Sequence, residues 1–209
     1  MNLKQPTSLD EKNILIKEIH HRVKNNMQHI SSILALKAYD SKDENFKIIF
    51  EEINIKVRTI SIIYDILYKF YDVSKSTFKD FLMNILHQLY VLLGISEITI
   101  GVEVTSESLP IDQVLLIGLT VSEMVSYAVK HSFGESSKGT IKIHFNKRKK
   151  GKYYLSVVSN GKRVSNDVLS RKISLSISLI KTFAKQLKEI LSIDEKTVLK
   201  LSFKYCGVI

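Results

Sequence analysis

The strongest constraint on the fold is a regular apolar stripe between residues 44 and 71. Large apolar side chains recur there at intervals of 4-3-4-3-4-3-4 residues: Phe46, Phe50, Ile53, Val57, Ile60, Tyr64, Leu67 and Tyr71. A mean interval of 3.5 residues is typical of helices that pack as in a coiled coil. The spacing therefore predicts one long helix, from about Glu44 to Tyr71, that needs helical partners.

A second amphipathic helix is predicted just before it, from Asp10 to about Tyr39. Its apolar residues recur every three or four positions: Ile19, Val23, Met27, Ile30, Leu34 and Ala38. The polar residues 39–43 are a predicted turn. Two helices joined this way form an antiparallel hairpin. Because one hairpin covers only part of its stripes, we expect two copies to pair as a four-helix bundle, and hence a homodimer.

The pattern changes after residues 73–76, which divides the chain into a hairpin domain (1–74) and a second domain (75–209). The predicted helices of the second domain are Thr77–Leu93, Ile111–His131 and Arg171–Leu191, and its predicted strands are Ile98–Val104, Thr140–Phe145, Tyr153–Val158 and Thr197–Tyr205. Helices on one side of a mixed sheet make an α+β fold, so the whole chain is expected to be a helical hairpin followed by an α+β sandwich.

The composition, 44% hydrophobic and 25% charged, is that of a soluble globular protein. No apolar run approaches the roughly 20 residues that span a bilayer, and the N-terminus is too polar for a signal peptide. A single cysteine excludes an internal disulfide, and no Cys/His cluster has metal-ligand spacing. We therefore expect a cytoplasmic protein without membrane contact or a metal of its own.

The net charge of +10 favours an acidic partner. The densest basic run, residues 146–151, lies between two predicted strands, and we interpret it as a solvated hairpin tip. Nucleic-acid binding through this run is the weaker alternative, because no interleaved aromatic residues and no zinc-finger or RNP pattern accompany it.

The chemistry is concentrated in the first predicted helix, where residues 18–28 read EIHHRVKNNMQ. At about 100° per residue, His21 lies roughly 200° from Ile19 and Val23 a further 200° on, so His21 points away from the stripe. Asn25 and Gln28 share its face. An accessible imidazole with a free lone pair is a nucleophile towards phosphoryl groups. An exposed histidine on a helix is also commonly an inert surface residue, so spacing alone does not decide its role.

Four neighbours complete the candidate catalytic set. Asn25 could hydrogen-bond the imidazole or orient a water, and Arg22 and Lys24 could offset negative charge during transfer. Glu18 begins the motif, near the positive N-terminal end of the helix.

The segment EIHHRVKNNMQHISSILALKA, residues 18–38, resembles the phosphoacceptor helix of the HisKA_2/HWE group of bacterial sensor histidine kinases. The resemblance covers the helix almost without a break. It implies that the phosphoacceptor is the histidine before the arginine, His21. It also implies that His20 packs beside it or supports it.

The second domain resembles the Bergerat-type ATPase domain of those kinases, but departs from it at the nucleotide positions. The family's asparagine box is approximately NELVTNALKHAF, and residues 122–133 read SEMVSYAVKHSF. Glu123 is kept, whereas Tyr127 replaces the asparagine expected to help hold Mg²⁺ and Ser122 replaces the earlier one. A phenol is a poor ligand for a hard cation.

The family's DNGxG motif becomes Ser159-Asn160-Gly161-Lys162-Arg163, so a serine replaces the aspartate that reads adenine. The lid SLGLRL reads SLSISL at residues 174–179, and further glycines align with Lys188-Glu189 and Lys196. Such glycines let backbone amides approach phosphates. The resemblance therefore implies a vestigial site without ATP or another cofactor. The alternative is that the basic substitutions at 162, 163 and 188 make phosphate contacts instead.

An acceptor helix joined to a vestigial ATPase domain resembles the small dimeric histidine phosphotransferases of bacterial relays. The resemblance implies that response-regulator receiver domains dock beside the bundle and supply Mg²⁺, while His21 shuttles phosphate between their aspartates. A basic chain suits acidic receivers. A divergent ATP-dependent histidine kinase, a non-catalytic response-regulator-binding module and nucleic-acid binding through residues 147–150 stay open as alternatives.

Overall fold

The structure is a computed structural model that describes residues 8–72, 77–105, 109–133, 138–148, 152–162, 175–186, 190–194 and 198–204. It forms two compact units, Met1–Asp72 and Val73–Ile209. The domain boundary predicted at residue 74 lies within 73–76, outside the described residues.

The first unit is the predicted helical hairpin. Helix α1 spans Ser8–Asp40 and helix α2 spans Glu44–Asp72. In the turn, the Ser41 hydroxyl donates to the carbonyl of Asp43 (3.0 Å), and the Asp43 carboxylate accepts from the backbone amide of Asn45 (2.8 Å). The carboxylate thus caps an amide that has no partner within α2, which fixes where that helix begins.

Three contacts between the helices set the register of the hairpin. His20 stacks on Tyr68 with 4.2 Å between ring centroids, Lys24 Nζ lies 3.4 Å from Asp65 Oδ1, and Ser31 Oγ donates to Asn54 Oδ1 at 2.6 Å. Along these three contacts the residue numbers rise on α1 and fall on α2, as an antiparallel pair requires. At about 100° per residue, the apolar stripe of α1 lies roughly 80° to one side of this contact line and His21 roughly 80° to the other.

The two apolar stripes stay largely uncovered in the single chain. Ile19, Ile30 and Phe46 are 52%, 42% and 56% exposed, and most other stripe residues are half-buried. Among the stripe residues whose side chains the structure describes, Ala38 and Leu67 are the buried ones. In an antiparallel pair both stripes turn from the contact line towards the same side, so they form one continuous apolar face.

The second unit combines three helices with a five-stranded sheet. Its elements are α3 (Phe78–Leu93), β1 (Ile98–Val104), α4 (Ile111–Ala128), β2 (Gly139–Arg148), β3 (Lys152–Ser159), α5 (Leu175–Gln186), β4 (Ile190–Asp194) and β5 (Val198–Lys204). The strand order is β1-β2-β3-β5-β4. The β1 and β2 strands are parallel and the other neighbours are antiparallel, which makes the sheet mixed.

One face of the sheet carries the core. Ile141, Ile143 and Phe145 are fully buried, whereas the alternate residue Lys142 is exposed. The helices contribute the other half of this core, including Phe81, Ile85, Leu89, Ile117, Val121, Met124 and Ile180. Apolar residues on one face and polar ones on the other are typical of a sheet covered by helices on one side, which confirms the predicted α+β fold.

Helix α3 begins and ends as its sequence predicts. Thr77 caps it, because its hydroxyl accepts from the Asp80 amide while the Asp80 carboxylate accepts from the Thr77 amide (2.8 Å). These hydrogen bonds from Thr77 hold the pKa of Asp80 below its usual value. At the other end Gly94 has a φ of 64°, the left-handed conformation that glycine adopts without strain.

Two elements differ from the sequence prediction. Helix α4 continues through a π-helical turn, Val129–Phe133. The resulting 23 residues, Ile111–Phe133, are long and apolar enough to cross a membrane, contrary to the expectation from the sequence, but 67% of their most apolar stretch is buried, as in a core helix. The helix predicted at Arg171–Leu191 was also too long: α5 ends at Gln186, and residues 190–194 form a strand whose backbone pairs with β5.

Candidate functional site

His21 lies on the exposed side of α1, together with Asn25 and Gln28. All three are on the side of the hairpin opposite the apolar face. A partner that covers the apolar stripes therefore leaves this imidazole accessible to a second macromolecule.

Arg22 is held by its own helix. Its Nε donates to Glu18 Oε1 at 2.7 Å, and the two side chains are 75% and 53% exposed. An exposed ion pair of this kind contributes at most about 1 kcal/mol. Arg22 can therefore exchange the Glu18 carboxylate for a phosphoryl oxygen at little cost.

Lys24 points towards α2, where Asp65 organises a group of charges. Lys24 Nζ lies 3.4 Å from Asp65 Oδ1, and Lys69 Nζ lies 2.8 Å from Asp65 Oδ2. Burial would raise the pKa of Asp65, but the hydrogen bonds and positive charges of Lys69 and Lys24 outweigh it and hold the pKa below 3.8. Asp65 is therefore ionised at neutral pH and keeps two ammonium groups beside the motif.

His20 occupies the junction between the helices and is only 11% exposed. Its ring stacks on Tyr68 and stands at 66° to the ring of His21, with 5.7 Å between their centroids. Its Nε2 lies 3.6 Å from Asp65 Oδ1. Burial lowers the pKa of His20 below 6.5, although Asp65 acts in the opposite direction, so His20 is neutral at pH 7.

The group formed by these residues is called the histidine cluster: His20, His21, Lys24, Asp65, Tyr68 and Lys69. Sequence reasoning found the three members on α1 and missed the three on α2. The two halves are about 40 residues apart in the chain, and only the register of the hairpin brings them together. The 3.5-residue repeat predicts that the two helices pair, but it does not specify which residues meet.

The asparagine-box positions of α4 are buried. Ser122 is 1% exposed and its hydroxyl donates to the carbonyl of Leu119 at 2.7 Å, while Glu123 is 4% exposed. Tyr127 is 3% exposed, and its ring lies 4.3 Å from that of His131, centroid to centroid. Burial raises the pKa of Tyr127, whose hydroxyl has no hydrogen-bond partner among the described residues. The phenol therefore occupies space inside the unit.

The positions at the end of β3 serve the sheet. Ser159 is 6% exposed, and the Asn160 carbonyl Oδ1 accepts from the Thr140 amide at 2.7 Å. A Cβ on Gly161 would overlap the carbonyl of Ser132, which also accepts from the amide of Lys162 at 2.7 Å. Glycine is thus required here by close packing of the backbone, whatever the site binds.

The remaining positions that the resemblance assigns to a nucleotide site lie only partly within the described residues. Residues 175–179 of the lid sequence form the start of α5, whereas Ser174, Arg163, Lys188, Glu189 and Lys196 lie outside the described residues. Within the described ranges, no three His, Cys, Asp or Glu side chains are grouped so as to hold a metal ion.

Comparisons with known proteins agree with this architecture. Residues 18–93 match the HisKA_2 family, described as histidine kinase. No curated protein matches the chain. The match includes residues 18–28, the rest of the hairpin and helix α3.

Similar solved structures show the fold. The histidine kinase domain of the Erythrobacter litoralis blue-light-activated histidine kinase has a TM-score of 0.62 at 18% identity, covering 84% of this chain and 95% of that domain. A longer structure of the same kinase has a TM-score of 0.68 at 18% identity and covers 97% of this chain, but this chain spans only 62% of it.

A more distant similarity is to the histidine kinase AdeS of Acinetobacter baumannii. Its TM-score is 0.50 at 10% identity, covering 88% of this chain and 97% of that one. Taken together, the matched segment and the fold identify the chain as histidine-kinase-like, with a HisKA_2 segment at residues 18–93 and the fold of a histidine-kinase core.

Proposed function

We propose that this chain is a histidine phosphotransfer protein of a two-component phosphorelay. His21 takes a phosphoryl group from the aspartyl phosphate of one receiver domain and passes it to the aspartate of another, without ATP. The observation that carries the proposal is a contrast between the two units. His21 is exposed beside a cluster of cations, whereas Tyr127 is buried where the resemblance places a metal-binding asparagine.

The hairpin suits the transfer step. A ring nitrogen of His21 attacks phosphorus, the aspartyl O–P bond breaks, and its electron pair stays on the carboxylate of the receiver. Lys24 and Lys69 place positive charge near the incoming phosphoryl group, and Arg22 can join them. Mg²⁺ belongs to the receiver in this scheme, so the chain needs no metal of its own.

The second unit supports the claim that ATP is not bound. A hydroxyl at Ser159 cannot replace a carboxylate that accepts from the adenine amino group, because it carries no charge and is shorter. The ring of Tyr127 is packed against His131 rather than presented to solvent. Both features oppose nucleotide binding, and in this proposal the unit serves as a scaffold for docking.

Homodimerisation follows from the apolar face of the hairpin. The large hydrophobic side chains of the two stripes that one hairpin leaves 42–56% exposed are Ile19, Ile30 and Phe46. An apolar surface of this extent is unfavourable in water, and a four-helix bundle buries it. Because His21 lies on the other side of the hairpin, the bundle keeps it accessible to receivers, and we place the assembly in the bacterial cytoplasm.

The decisive experiment incubates the purified full chain with a phosphorylated receiver domain and, separately, with ATP and Mg²⁺. The proposal predicts acid-labile phosphate on His21 from the receiver and none from ATP. His21→Ala removes the label, whereas His29→Ala, which changes another exposed histidine of α1, keeps it. Persisting label in the His21→Ala protein refutes the acceptor assignment.

A divergent ATP-dependent histidine kinase is the second candidate, favoured by the histidine-kinase description of the matched segment. It predicts label on His21 from ATP and Mg²⁺ without any receiver. A non-catalytic response-regulator-binding module instead predicts that receivers bind both the original protein and His21→Ala equally and that neither acquires label.

A further inference from the structure

His20 has an unusual position for a histidine with no assigned chemistry. Its side chain is 11% exposed, and neither ring nitrogen has a hydrogen-bond partner within the described part of the chain. A neutral imidazole always carries one N–H donor and one lone pair. Leaving both unmatched in a buried position costs free energy, and a catalytic role is one of the explanations for such a group.

The neighbours of His20 fix its orientation. The ring is stacked on Tyr68 at an interplanar angle of 17°, which restricts its rotation. Nε2 faces Asp65 Oδ1 at 3.6 Å, beyond hydrogen-bond distance but close enough for the carboxylate to stabilise a positive charge on the ring. On the remaining side the ring meets His21 edge to face.

We propose that His20 is a positioning residue for His21: directed by Asp65, it accepts the proton from the non-attacking nitrogen of His21. This inference rests on the proposed role of His21 as acceptor. An adjacent base oriented by a carboxylate is a general means of activating a nucleophile.

The step balances as follows. The unprotonated nitrogen of His21 attacks phosphorus, and the bond from phosphorus to the donor's leaving atom breaks, with its electron pair kept by the leaving group. Positive charge develops on the His21 ring, and the proton on its other nitrogen moves to the lone pair of His20. His20 becomes an imidazolium beside the Asp65 carboxylate, and the reverse transfer returns the proton.

The charges around His20 suit a group that starts neutral. From α1 it is faced by His21 and Lys24, and from α2 by Asp65, Tyr68 and Lys69. Burial, the neighbouring His21 and the positive charges of the two lysines lower the pKa of His20, so its proton-accepting form is the main one at pH 7. The Asp65 carboxylate raises the pKa of His20, and so lowers the free-energy cost of protonating its ring.

The test uses phosphoramidate, a small donor whose P–N bond breaks with loss of ammonia, so that no receiver is required. His20→Phe in the full chain keeps a ring to stack on Tyr68 and removes both nitrogens. We expect phosphorylation of His21 at pH 8 to slow about tenfold, less than is usual for general acid–base catalysis because water reaches the exposed His21. His29→Phe is the matched control and keeps the original rate.

Two further readouts separate this role from simple support of the fold. The rate ratio of the original protein to His20→Phe should fall towards one as the pH falls through the pKa of His20, which burial lowers from its usual value, because protonated His20 accepts no proton. Nitrogen-15 NMR should show one dominant tautomer of His21 in the original protein and a mixture in His20→Phe. Asp65→Asn should slow the reaction in the same direction by a smaller factor.

An unchanged rate, pH profile and tautomer in His20→Phe overturn the inference, even if His21 is labelled normally. If label appears on the protein but persists in His21→Ala, the proposed function fails instead. The two failures are therefore distinguishable in one set of proteins.

Discussion

Replacement of Tyr127 tests whether its ring fills the interior of the second unit. The side chain is 3% exposed and packs against His131. Tyr127→Ala removes a buried aromatic ring, which typically costs about 3–5 kcal/mol because a cavity is left behind. Tyr127→Phe removes only a hydroxyl that has no partner among the described residues.

The second substitution gives the sharper expectation. A buried hydroxyl without a partner costs about 1–3 kcal/mol, so Tyr127→Phe should leave the free energy of unfolding unchanged or raise it by about 1 kcal/mol. Tyr127→Ala should therefore lower the free energy of unfolding, whereas Tyr127→Phe should not. The contrast does not depend on any ligand.

Urea unfolding followed by circular dichroism, at one fixed protein concentration, measures both free energies and the m value. A loss below about 1 kcal/mol in Tyr127→Ala would mean that the ring faces an open crevice. A loss of about 1 kcal/mol or more in Tyr127→Phe would mean that the hydroxyl is hydrogen-bonded. The first result refutes the claim that the ring fills the interior, and the second refutes the claim that its hydroxyl has no partner. Calorimetry with ATP and Mg²⁺ on the same proteins shows whether removing the ring admits nucleotide.

Three further substitutions address other features. Ile30→Asp, on the apolar face, should convert the expected dimer to a monomer in light scattering, whereas Tyr39→Asp, 86% exposed on the other side, should stay dimeric; equal effects would contradict the assigned face. Asp65→Asn should lower the free energy of unfolding by about 1 kcal/mol in dilute salt and less in 1 M salt. Because the folded pKa of Asp65 lies below 3.8, its contribution is present above that pH and is lost on acidification, so the Asn variant should show a flatter acid limb; a salt-independent loss would contradict the ion-pair explanation. Gly161→Ala should destabilise the second unit by about 1–3 kcal/mol in thermal unfolding, because the added Cβ meets the backbone of Ser132, and an unchanged transition would contradict that close approach.

The hairpin was predictable because its information is local. The 3.5-residue stripe and the polar turn determine two long helices, and both lie within a few residues of their predicted ends. The capping pair Thr77 and Asp80 similarly marks the start of α3. In contrast, residues 190–194 continue an apolar helical pattern, and their strand conformation depends on backbone pairing with β5, which no local pattern encodes.

The candidate site divides in the same way. His21 and its neighbours on α1 were found from a contiguous motif, whereas Asp65 and Lys69 reach them only through the packing of two helices. Tyr127 was identified as a substitution, but its burial against His131 is a tertiary property. Side chains that meet across elements depend on register and depth, and composition or periodicity specifies neither.

The two helices of the hairpin also tie the surroundings of His20 to a mechanical coordinate. His20 Nε2 and Asp65 Oδ1 are 3.6 Å apart. A displacement of α2 along α1 by the rise of a single residue, about 1.5 Å, would therefore change their separation substantially. The tip of the hairpin, at Ser41, is about six helical turns from His20, at about 5.4 Å per turn. The turn at residues 41–43 joins the two helices, so they cannot slide past each other unless it deforms, and the hairpin therefore holds the Asp65 carboxylate at a fixed height beside His20.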